Sequence, residues 1–108
     1  MTLQDLYTLL SVTEYPVAYH SFQASNITPI PKPPYIVYLV DDTDNFGADN
    51  KVWHKNTNIT VELYTANKDL TAEQTLEDVF DGAEIFYNKS ETYIESEEMF
   101  QISYEITI

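Results

Sequence analysis

The chain has no cysteine, only two glycines, and 5 Lys+Arg against 18 Asp+Glu in 108 residues. Without cysteine there is neither a disulfide framework nor a thiolate zinc site. Scarce glycine goes with the absence of a phosphate-cradling loop, and no G-x-S-x-G nucleophile motif occurs. A net charge of −13 argues against binding nucleic acid through its phosphates, which needs cationic side chains. No apolar run approaches the roughly 20 residues that a membrane helix requires. The opening "MTLQDLYTLLSV" lacks the basic region and small-residue cleavage site of a signal peptide, so the chain is expected to be cytosolic in origin. The N-x-[ST] matches at Asn26, Asn58 and Asn88 then carry little weight.

What is present argues for a folded domain. Hydrophobic residues make up 44% and aromatics 14%, enough for a modest core despite the charge. Leu3, Leu6, Tyr7 and Leu10 recur at helical spacing, with Thr2 placed to cap the helix and Asp5 three residues on. "YPVAYHSF" reads as a strand with Pro16 at its start, and residues 24–34 as a proline-rich connection. "YIVYLV" is apolar enough for a strand buried on both faces. "KVWHK" and "NITVELYT" follow as strands, with residues 41–50 as the acidic tip of a long hairpin. "DLTAEQTLEDVFDGA" is the clearest helix. It is expected to carry a Thr71–Gln74 capping box, a buried stripe of Leu76, Val79, Phe80 and Ala83, and an exit at Gly82. A hairpin and a period-two final strand, Phe100, Ile102, Tyr104, Ile106 and Ile108 on one face, complete the chain. The expected fold is a single α+β domain over residues 1–108, two helices packed on a mostly antiparallel sheet.

Candidate chemistry is sparse. "DDTDNFGADN" partly fits a calcium loop from Asp42, but Phe46 offers no oxygen at position five and Trp53 replaces the carboxylate at position twelve. No metal or cofactor is therefore expected. His20 and His54 read as ordinary strand histidines, since no further ligands stand at short spacing. Adjacent carboxylates such as Glu77–Asp78 and Glu97–Glu98 are unavoidable among 18 acids and signal no catalysis, so no case for an enzyme emerges. Nine tyrosines exceed what a small core holds comfortably and lean, as a group, toward assembly.

The order of local phrases is more specific. "PVAYHSF", "PPYIVYLVDDTDNFGADNKVW", "VELYTANKDLTAEQ" and "IFYNKSETYIESEEMFQISYEI" together resemble small tail-region proteins of siphophages and prophages of Gram-positive bacteria. The resemblance runs from about Tyr15 to Ile106 and points to tail terminators, also called tail completion or head–tail joining proteins. A glycine at Gly47 departs from the bulkier residue such proteins often carry. The resemblance implies a homo-oligomer, a hexameric ring that caps the tail tube, ends its growth and presents a surface for head–tail joining. Its implied partners are the tail tube protein and a head–tail connector or neck protein, with DNA passing through the lumen unbound and no membrane involved. The implied location is the tail or neck of the virion, after synthesis in the host bacterial cytoplasm. On this reading residues 41–50 make subunit or lumen contacts with Phe46 as apolar anchor, and the interface residues are Asp42, Asp44, Phe46, Asp49 and Trp53. The competing class is an acidic DNA-mimic inhibitor of a host DNA-binding protein, which the charge alone permits.

Overall fold

The computed structural model describes residues 1–23, 29–48 and 51–108, with side chains at all of these except 44–48 and 51–55. Helix α1 (Leu3–Ser11) starts where Thr2 and Asp5 exchange side-chain-to-backbone hydrogen bonds of 3.0 and 2.9 Å, the reciprocal capping expected from their spacing. Of its apolar stripe, Leu6 and Leu10 are fully buried while Leu3 and Tyr7 keep an exposed edge. Strand β1 (Val17–Tyr19) lies parallel to β2 (Tyr35–Ala48), which forms a long antiparallel hairpin with β3 (Lys51–Thr65). After helix α2 (Leu70–Gly82), strands β4 (Asn88–Ile94) and β5 (Met99–Thr107) form a second hairpin whose β5 pairs with β3. The sheet order is β1-β2-β3-β5-β4, antiparallel except at β1, and the fold is α+β as expected.

The core lies between one sheet face and the two helices. Ile36, Tyr38, Ile59, Val61, Leu63, Ile102, Tyr104 and Ile106 supply the sheet side; Leu6, Leu10, Ala72, Leu76 and Phe80 supply the helices. Phe80 is fully buried, its ring 5.5 Å from Tyr104 and 5.6 Å from Tyr87. The final strand keeps its period of two, with Ile102, Tyr104 and Ile106 inward.

Several local expectations require correction. The Asp69 carboxylate caps α2 by accepting from the Ala72 N–H at 3.0 Å, so Thr71 is already inside the helix and no Thr71–Gln74 box forms. The helix leaves through Glu84, not Gly82. Glu84 takes φ 57°, and the Ile85 N–H to Phe80 C=O and Glu84 N–H to Asp81 C=O bonds close the exit turn. Val79 and Ala83 are only half-buried. "KVWHK" and "NITVELYT" form one strand, because the backbone ladder runs through both. Most of residues 41–50 is strand too: backbone pairing continues to Ala48↔Lys51, and Asn and Asp follow it because the ladder uses main-chain groups alone. In "YIVYLV", Ile36, Val37 and Tyr38 are buried, but Leu39 and Val40 are partly open. Phe22 and Ile30 line the same small space as Val37, on the face away from the helices. His20 stands just past β1 at φ 68°, not within a strand.

Candidate interaction surface

Pairing between β2 and β3 outruns both neighbours. On one side β1 accompanies β2 only from Ile36 to Tyr38; on the other β5 accompanies β3 only from Asn58 to Thr65, plus a terminal bond pair between Thr57 and Ile108. The remainder is a two-stranded ribbon projecting from the body. The molecule accordingly measures 50 × 32 × 26 Å with a radius of gyration of 15.3 Å, against about 13 Å for a compact chain of this length. Among the described residues, the ribbon's outer main-chain groups have no third strand to bond.

Polar side chains fix the ribbon's root. Thr60 Oγ1 donates to Asp41 Oδ2 at 2.6 Å where the register skips a residue between Val40 and Asp42. Thr107 Oγ1 donates to Asn58 Oδ1 at 2.8 Å, and Asn58 Nδ2 donates to Asp42 Oδ1 at 2.6 Å, a relay across β5, β3 and β2. Asp42 thus has a structural task at the root. Asp44 pairs with Asn56 and Phe46 with His54 along the backbone. Trp53 falls at the second irregularity, where Phe46↔His54 gives way to Gly47↔Val52 and leaves it unpaired in the ladder. The side chains of Asp44, Phe46 and Trp53, and all of Asp49, lie outside the described residues.

The body holds an ionic cluster that the sequence did not disclose. Glu73 of α2 is 2% exposed, with the Lys89 ammonium 2.8 Å from Oε1 and the Lys68 ammonium 2.8 Å from Oε2. Neither oxygen has another partner among the described residues. One turn along the helix, Glu77 receives Lys89 and the Tyr104 hydroxyl, each at 2.8 Å, and the Tyr87 hydroxyl at 3.2 Å. Lys68 also bonds Glu91 on β4. Burial works to raise the Glu73 carboxyl, but the two ammoniums outweigh it and hold its pKa below the ordinary glutamate range. The same balance lowers Glu77, with Lys89 first among the opposing causes. Tyr104 is held far above the usual phenol range by burial and by the Glu77 carboxylate it serves. Glu73 sits in the first turn of α2, where the helix dipole favours a carboxylate, but its burial depends on lysines from two other segments. Spacing on the helix could not show that.

No group of three or more His, Asp or Glu residues among those described could hold a metal ion. No helix among them is long and apolar enough to cross a membrane. Of the nine tyrosines, Tyr38 and Tyr104 belong to the core, whereas Tyr7, Tyr19 and Tyr93 are more than two-fifths exposed. What the surface offers chemically is recognition: an open-edged ribbon, exposed aromatics and a strongly negative field. No known family model matches the chain. No curated protein is significantly similar to it.

Proposed function

We propose that this chain is a structural virion protein, a tail terminator that closes into a ring on the phage tail tube, ends polymerisation and forms the tail-side surface for head–tail joining. The observation that carries the reading is the projecting β2–β3 ribbon, both of whose edges are open among the described residues. An isolated two-stranded ribbon is marginal in water, and open strand edges invite pairing with other chains. A ribbon of this length is therefore better suited to work in contact with a neighbour than alone. Copies that pair head to tail close into rings when the rotation closes. The net charge of −13 supports the same role, since an acidic lumen lets DNA pass without holding its phosphates. The resemblance of its local phrases to those of phage tail-region proteins supplies the choice of ring.

The decisive experiment removes the protein from a phage that encodes it and images the particles. Overlong tails without heads are expected, restored to normal by the protein supplied in trans. Tails of normal length joined to capsids in its absence would overturn the proposal. Light scattering adds the assembly state: a species of six times the 12.5 kDa chain mass is expected on assembly. A stable dimer that displaces DNA from a host enzyme would instead favour the acidic mimic.

A further inference from the structure

Strand β4 ends the sheet on one side, and among the described residues no strand lies beyond it. Open edges are commonly blunted by shortness, proline, a bulge or a guarding lysine. The opposite edge has such protection: β1 is three residues long, follows Pro16 and gives way to His20 at φ 68°. β4 has little. It runs seven residues without proline, and its register with β5 is unbroken from Asn88↔Glu105 to Ile94↔Met99. Its one lysine, Lys89, is bonded to Glu73 and Glu77 of α2. Tyr93, its ring 4.9 Å from Phe100, stays 48% exposed and gives the edge strand an aromatic surface of the kind interfaces use.

Charge selects what pairs there. β4 and its turn carry Glu91, Glu95, Glu97 and Glu98. The lysines beside them, Lys68 and Lys89, are shared among Glu73, Glu77 and Glu91, so three carboxylates meet two ammoniums and the surplus is negative. Of the chain's five basic residues, two others, Lys51 and Lys55, stand on the outer half of β3, paired along the backbone with Ala48 and Asn45. The outer half of β2 carries Asp42 and Asp44 instead. Residues 51–56 of β3 lie beyond the β5 ladder and so present an open edge of their own, close in length to β4. Within one molecule β5 stands between β3 and β4, so the chain's own ribbon is not placed to cover that edge.

We infer that the β3 arm of the ribbon in one copy lies along β4 of the next copy as an added strand, continuing the sheet from molecule to molecule. This deepens the ring reading by naming what the ribbon meets, and it rests on that reading's premise that copies pair head to tail. Main-chain bonds supply the attraction that any open edge offers, and the basic arm against the acidic edge decides which strand is accepted. The β2 arm would bring aspartates to the same acids. A second β4 would bring only a lysine already bonded to α2.

Two purified variants test the contact. Lys51→Glu/Lys55→Glu reverses the ribbon arm, and Glu95→Lys/Glu98→Lys reverses the turn, where both glutamates are exposed. Sedimentation equilibrium should show each variant associating about tenfold or more weakly than the wild type, because like charges then face each other. An equimolar mixture should recover association, since each variant supplies the partner that the other lacks. In the wild type, assembly should slow amide exchange across residues 88–94. Unchanged association of either variant, a mixture that recovers nothing, or β4 amides that exchange equally fast in monomer and assembly would overturn the contact. A wild type that stays monomeric at millimolar concentration would overturn it too. Should a variant fail to fold by circular dichroism, the exchange measurement on the wild type decides alone. Tail length is read separately: overlong, headless tails on deletion, together with a failed charge exchange, would keep the terminator and discard this strand pairing.

Discussion

The helix-covered body and the projecting ribbon are built from the same two strands by opposite means. Within the body, β2 and β3 place alternate residues against α1, α2 and their neighbours, and Ile36, Ile59, Val61 and Leu63 are sealed from water. Beyond Val40 the pairing continues through Asp42, Thr43 and Asp44 against Asn58, Thr57 and Asn56, with no apolar layer of that kind at the ribbon's root. The body is held by burial plus one buried ionic cluster, the ribbon by its ladder and a few polar bonds. The body thus carries the apolar core, whereas the ribbon's root is held by main-chain pairing and polar side-chain bonds.

The most severe way to break the comparison is to hollow out the body. Phe80→Ala removes a fully buried ring packed on Tyr87 and Tyr104 and is expected to cost about 3–5 kcal/mol in denaturant unfolding. A loss below about 1 kcal/mol would show that α2 is not docked through this residue.

The ribbon should respond in the reverse sense. Phe46→Ala is expected to leave unfolding of the isolated chain within about 0.5 kcal/mol while weakening assembly by about 2 kcal/mol or more at each interface. Circular dichroism checks the fold, and complementation checks the particles. A variant that assembles and yields normal infectious particles would remove Phe46 from the proposed subunit interface. The family proposal would outlast that result, because it rests on phrases along nearly the whole chain.

Acid sharpens the contrast by acting mainly on the body. Glu73 and Glu77 have folded pKa values below the ordinary 4.5. Their contribution is therefore fully present above that value and lost as pH falls through the folded values. Lys89→Met should cost about 1 kcal/mol at pH 7, allowing for water around a one-third-exposed ammonium, and progressively less toward pH 3. Glu62 has the opposite sign: its raised folded pKa favours the folded state below the ordinary value, and that advantage is lost as pH rises through the folded one. Glu62→Gln should accordingly stabilise the protein at pH 7 relative to its effect at pH 4. Urea midpoints at both pH values distinguish the two signs.

Local signals in the sequence were read well where one segment contains its own explanation. The Thr2–Asp5 cap, the Leu76–Phe80 stripe and the alternation from Phe100 to Ile106 depend on near neighbours, and each stands in the structure. Misreadings arose where a distant partner decides. Asp69 displaced Thr71 as the cap because its carboxylate reaches the Ala72 N–H first along the incoming chain. The acidic stretch extends as strand because β3 lies in register beside it, which Asp and Asn propensities cannot reveal. Glu73 is buried because Lys68 and Lys89 converge from the segments before and after α2.

The smallest expected effect tests whether the ribbon needs an ion. At its root, Asp41 and Asp42 already accept hydrogen bonds from Thr60 and Asn58, each at 2.6 Å. Those bonds occupy oxygens that a cation would otherwise claim. Farther out, the sequence gives Phe46 and Trp53 at two positions where a calcium loop needs oxygen donors. Millimolar calcium should therefore leave thermal unfolding nearly unchanged. Screening of thirteen net negative charges permits a slight rise with any divalent salt, so magnesium is the control and should give the same small change. A calcium-specific rise of many degrees, reversed by chelator, would mean that the ribbon closes around a metal and that its order comes from an ion instead of a neighbouring chain.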